Sequence, residues 1–135
     1  MKTISKLKKE LDKVFSLYIR LRGATEEGVV QCFTCSRISH YKSGMQCGHF
    51  QSRRHHSTRW NETNCQIQCV KCNMYEQGEQ FKFGMMLDAN YGRGTAEKLE
   101  FLSKTIIKLS RVDYEDKISY YKDAVKNLKI EKGIE

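Results

Sequence analysis

Proline is absent from the 135 residues, so no segment reads as a polyproline linker or a Pro-rich tail. No run of about eighteen apolar residues occurs, which excludes a membrane-spanning helix. The opening MKTISKLKKELDKV lacks the continuous apolar stretch of a signal peptide, and the expected compartment is the cytoplasm. Thiols stay reduced there, so six Cys suggest metal ligation before disulfides. Acidic residues are the scarcer sign, 16 against 24 Lys and Arg, for a formal net charge of +8. A basic excess favours polyanions, nucleic acid first, although a protein that merely happens to be basic shows the same balance. With 39% hydrophobic residues a small core can form, and it would gain from a staple.

Three regions follow along the chain. Residues 1–23 read as an amphipathic helix, with Ile4, Leu7, Leu11, Val14, Tyr18 and Leu21 at steps of three and four. Gly23 ends it, and Lys6, Lys9 and Lys13 fall on its wet face. Residues 24–92 begin with short β-forming pieces such as GVVQCFTC and GMQCGHF. A helical pattern returns from Val70, breaks at Gly78 and resumes to a C-cap at Gly92, with Phe81, Met85 and Met86 expected in the core. Residues 93–135 read as a helical hairpin. Leu99, Leu102, Ile106 and Leu109 line one arm; Tyr114, Ile118, Tyr121, Val125 and Leu128 line the other. Asp113 is the expected N-cap of the second arm. Such a hairpin folds back on the core or pairs with a second copy.

Cys32 and Cys35 form one C-x-x-C pair, Cys69 and Cys72 another. Two such pairs supply four thiolates, which suit a tetrahedral structural Zn²⁺ site. The 33 residues between the pairs exceed the loop of a simple zinc ribbon, so that insert has structure of its own. Cys47 and Cys65 remain over and read as small buried thiols.

The insert contains CGHFQSRRHH, then RWNETN, then QCVKCN. A Gly-His pair, a basic loop, Asn64 and an Asn directly behind the last Cys resemble the HNH, or ββα-metal, nucleases. The zinc-stapled form is similar to the phage endonuclease VII type. Together with FSLYIRLRGA and YG, these motifs resemble the phage recombination endonuclease family NinG, also called Rap, over roughly residues 14–92. The resemblance implies an α+β fold: a small ββα-metal core with a four-cysteine zinc site, flanked by the N-terminal helix and the C-terminal hairpin. It implies an endodeoxyribonuclease in the host cytoplasm, leaving 5′-phosphate and 3′-hydroxyl ends. Branched recombination intermediates, such as Holliday junctions and D-loops, would be the substrates. Symmetric nicks would call for a homodimer, with the hairpin as interface.

By the same resemblance His49 is the general base and Asn73 a ligand to catalytic Mg²⁺ or Mn²⁺. The chemistry agrees, because an imidazole titrates near neutrality and an amide oxygen suits a hard cation. Asn64 would tether the loop. Arg53, Arg54 and Arg59 suit phosphate, through contact with the backbone or stabilisation of the transition state, as their guanidinium groups bind it bidentately. Many family members carry Asp directly before the His as a metal ligand; here that position is Gly48, so the backbone, a water or another residue completes the shell, with His55 and after it His56 as the nearby candidates. Glu62 is expected in a structural pairing, and Trp60 under the loop. The rival reading is a non-catalytic zinc module that binds nucleic acid through the same basic loop. A third is an interaction protein whose zinc and helices only build a docking surface.

Overall fold

The first helix sets the frame in the computed structural model, which describes residues 1–135. Helix α1 (Ile4–Arg22) starts at Thr3, whose hydroxyl accepts from the Lys6 N–H, and stops at Gly23. Leu7, Leu11, Phe15 and Ile19 recur every four residues and are buried. Each such side chain contributes about 1.5–3 kcal/mol on leaving water. Phe15 and Ile19 thus take the core positions, while Val14 and Tyr18 flank them and Ile4 is exposed.

Two antiparallel hairpins follow. Strands β1 (Val29–Gln31) and β2 (Ile38–His40) pair and hold Cys32 and Cys35 in the connecting turn. Strands β3 (Met45–His49) and β4 (Cys65–Cys69) pair with His49 opposite Cys65 and Met45 opposite Cys69. Alternation then sends Cys47, His49, Cys65 and Cys69 to one face, and Gln46, Gly48, Gln66 and Gln68 to the other. The connection between β3 and β4 carries a four-residue helix α2 (His56–Arg59). A π-helical turn, Lys71–Tyr75, follows β4 and delivers Cys72 and Asn73. The Phe33 N–H donates to the Ile67 carbonyl at 2.8 Å, joining the first hairpin to the second.

Helices α3 (Gln80–Tyr91), α4 (Thr95–Ser103) and α5 (Arg111–Lys132) complete the chain. Of the two arrangements open to the C-terminal segment, it folds back on this chain: α5 packs along α1, and α4 packs against α3 and α2. Tyr114, Ile118, Tyr121 and Val125 therefore bury their stripe inside this chain, not against a second copy. The Phe15 and Tyr121 rings meet edge-on, centroids 4.9 Å apart. Glu62 has the structural pairing expected of it: its carboxylate accepts from the Tyr18 and Tyr121 hydroxyls, each at 2.9 Å, and so ties α1 to α5. Ser110, not Asp113, is the N-cap of α5; Asp113 sits three residues on and completes a reciprocal capping box.

The inward face of α3 also differs from the expected one. Phe83 and Leu87, four residues apart, face Leu99 of α4, which turns Phe81 and Met85 outward. Phe81 is 82% exposed and Met85 57%, and Met86 is exposed as well, so none of the three belongs to the core. Period alone did not say which stripe of this evenly apolar helix faces inward.

Candidate functional site

The two C-x-x-C pairs converge. The sulfurs of Cys32, Cys35, Cys69 and Cys72 all lie within 4.8 Å of one another, and all four residues are free thiols. Backbone amides point at two of them: Cys69 N–H donates to Cys32 Sγ at 3.3 Å, and Arg37 N–H to Cys35 Sγ at 3.4 Å. Burial pushes the Cys32 thiol up, but the Cys69 amide and the Thr34 hydroxyl and amide bring it down to about 7. Cys72 has the opposite outcome. Burial, with the Cys69 and Cys35 sulfurs beside it, pushes Cys72 up to about 12. Four sulfurs this close cannot all ionise without a cation among them, and the set can hold a structural ion such as zinc.

Beside this cluster lies a cavity of about 1060 Å³. His49, Asn73, His55, Arg53, Lys9 and Lys13 are among its lining residues. His49 projects from one face of the β3–β4 hairpin. Asn73 approaches the other face, its Nδ2 donating to Gln46 Oε1 at 2.7 Å. The His49 ring is mostly buried, and burial is the main reason its pKa falls below the ordinary histidine value. A hydrogen bond at 2.9 Å joins Nε2 to the Arg59 carbonyl. That carbonyl only accepts, so Nε2 carries the proton and the neutral ring keeps its lone pair on Nδ1.

The loop holding that carbonyl is fastened from two sides. Asn64 is fully buried; its Oδ1 accepts from Gln51 N–H at 2.8 Å, and its Nδ2 donates to the Thr58 and Gln51 carbonyls. From α1, Asp12 gathers the loop's cationic side chains. Its carboxylate accepts from Arg59 Nη2 at 2.5 Å and Nε at 3.1 Å, from Arg53 Nη2 at 2.8 Å and from Trp60 Nε1 at 2.9 Å. Burial pushes the Asp12 pKa up, but the Arg59 and Arg53 contacts outweigh it and the net shift is downward.

The three arginines therefore differ. Arg59 is partnered by Asp12 and mostly buried, its side chain 15% exposed, so it braces the loop and does not face open solvent. Arg53 lines the cavity and stays 60% exposed beyond its Asp12 contact. Arg54 is exposed and outside the cavity lining. His55 precedes α2 without capping it, and lines the cavity. Asp12 was missed by motif reading, and Lys9 and Lys13, read as a solvated face of α1, line the cavity with it. The available signal was their spacing with Ser16, since positions 9, 12, 13 and 16 share one polar helix stripe.

Gly48 has a steric cause. A Cβ there would fall 1.9 Å from Gln68 Oε1 and 2.6 Å from its Cδ. Gln68 is fully buried and fixed, its Nε2 donating to Thr34 Oγ1 and to the Gly78 carbonyl, each at 2.9 Å. Its Oε1 has no hydrogen-bond partner. An acidic side chain at position 48 is thus excluded by an amide reaching over from β4.

Fold and site together define a small α+β protein with a four-cysteine cluster able to hold zinc beside a basic, histidine-lined cavity. The family model described as Bacteriophage Lambda NinG protein matches residues 1–131, and the chain belongs to that family. The match runs through α5, well past the residues whose motifs carry the resemblance. No curated protein and no solved structure matched the chain. No helix is long and apolar enough to cross a membrane.

Proposed function

We propose that this chain is a metal-dependent endonuclease of the HNH type that hydrolyses DNA phosphodiesters, with branched recombination intermediates as its substrates. Holliday junctions and D-loops are the forms meant, inside the host cytoplasm of a phage infection. The observation that carries the reading is one cavity lined by both His49 and Asn73, with the His49 ring held by the Arg59 carbonyl.

His49 accepts a proton at Nδ1 from a water aimed at the phosphorus. Its lowered pKa keeps it unprotonated at neutral pH, the state a general base needs. Lys9, Lys13 and Arg53 draw the phosphate backbone into the cavity and make binding fall steeply with salt. For a hard divalent cation an uncharged oxygen fits: Asn73, on the cavity wall, keeps its amide oxygen free of hydrogen bonds. Mg²⁺ or Mn²⁺ held there would supply charge neutralisation on the phosphate and on the leaving 3′-oxygen, leaving 5′-phosphate ends.

A second reading has its own support. Asp12 is the only carboxylate along the cavity, and Arg59 and Arg53 already engage it. A site without an acidic ligand suits a non-catalytic zinc module that binds nucleic acid through the same surface. Incubating labelled duplex and four-way-junction DNA with Mg²⁺, with Mn²⁺ or with neither separates the two. The endonuclease reading expects metal-dependent products whose rate of formation falls at least about a hundredfold in His49→Ala, the usual share of a general base. Binding without cutting on every substrate would leave the second reading standing.

A further inference from the structure

Cys47 and Cys65 belong to neither the zinc cluster nor the cleavage chemistry, yet they stand on the same hairpin face as His49. We propose that Cys47, His49 and Cys65 form a second metal site, selective for a thiophilic divalent cation of the zinc type, whose occupancy silences His49. The register builds it. His49 lies directly opposite Cys65, and Cys47 lies two residues before His49, so period-2 alternation sends all three side chains the same way. Their ligand atoms lie within 4.8 Å of one another.

Two thiolates and an imidazole choose zinc over magnesium, because soft sulfur prefers a borderline-soft ion. Three protein ligands leave a fourth position for water or a phosphate oxygen, unlike the closed four-cysteine cluster. Cys47 and His49 line the cavity, which supplies the entry path, while Cys65 is fully buried behind them. The Arg59 carbonyl already orients one of the three, accepting from His49 Nε2 at 2.9 Å. Carbonyls that hold the outer side of a ligand in this way are a common support for metal sites. Binding releases the two thiol protons to solvent.

The silencing rests on the endonuclease reading; the site itself does not. Coordination through Nδ1 takes the lone pair that accepts the water proton. Coordination through Nε2 displaces the bond to Arg59 that orients the ring. Either way His49 ceases to act as a base while zinc is bound.

Cobalt titration of the 135-residue chain, already carrying zinc in its four-cysteine cluster, tests the site without any DNA. The native chain takes up one Co²⁺ with a thiolate-to-cobalt charge-transfer band. Cys47→Ser and Cys65→Ser lose that band while retaining their cluster zinc, which reports that each variant is folded. Absence of the band from the native chain, or an equal band in Cys47→Ser, overturns the site. In a second arm, Mg²⁺-dependent cleavage is measured with and without added zinc. At zinc about ten times its dissociation constant the native rate falls about tenfold, in line with the unoccupied fraction. The with-to-without ratio of Cys47→Ser stays near one. Uptake of cobalt without loss of cleavage overturns the silencing. If nothing is cleaved under any condition, the endonuclease reading fails while the cobalt arm still decides the site.

Discussion

Replacing Asp12 with Asn tests how the loop behind His49 is held. The Asp12 carboxylate accepts from Arg59 at two nitrogens, from Arg53 and from Trp60. Asn keeps the shape but removes the charge and turns one acceptor into a donor facing a guanidinium. Arg53 is mostly exposed and its pairing adds little. Arg59 is the partner that matters, because its guanidinium is largely out of water. Breaking a fully buried pair costs about 3–5 kcal/mol. With Asp12 itself still partly exposed, about 2 kcal/mol is expected here. For a chain of this length that corresponds to a fall in Tm of about 6 °C. The pH course has a defined sign. A carboxyl whose folded pKa is lowered adds stability above its ordinary value of 3.8, and loses it as pH falls through the folded value. The gap between wild type and variant in urea unfolding should hold from about pH 7 to pH 5 and close below about pH 4. Both proteins carry the same four-cysteine cluster, so its own acid sensitivity cancels in the difference. A gap under about 0.5 kcal/mol at neutral pH, or one that widens on acidification, would refute the reasoning.

Three further outcomes follow from the same contacts. Gly48→Ala forces the buried Gln68 amide off Thr34 and Gly78 and should cost about 1–3 kcal/mol in thermal or urea melts. Adding Gln68→Ala should recover part of that loss, and no recovery would discredit the steric account of the glycine. Asn64→Ala leaves the Gln51 amide and carbonyl unpaired, for about 2 kcal/mol, and should speed amide exchange across residues 50–64. Stripping metal with a chelator, or Cys35→Ser, should abolish a single cooperative melt and lower the zinc content measured by atomic emission; an unchanged melt would remove zinc as the staple.

Elements whose signal is local were legible. The span of α1 and its stop at Gly23, the break at Gly78 and the cap at Gly92 stand in the sequence because helical period and capping are short-range properties, whereas the seating of Phe15 and Ile19 in the core was decided by packing. The paired C-x-x-C motifs gave the cluster, since ligand spacing limits what four sulfurs can hold. Motif reading also named His49 and Asn73, which line one cavity. What it could not give were partners distant along the chain. Nothing periodic links Asp12 to Arg59, so a residue meant for phosphate turned out to brace the loop.

The same division holds for the remaining surprises. Sequence alone determined that residues 111–132 form a helix with an apolar stripe, but α1 decided that the stripe is covered within this chain. It showed a glycine before His49, while only the approach of Gln68 from β4 explains why no side chain fits there. It counted two surplus cysteines, and the pairing of β3 with β4 set both beside the same imidazole. Local propensity and ligand spacing are written residue by residue. Which faces meet depends on burying the most apolar surface with every inner polar group paired, a condition satisfied only by the whole chain at once.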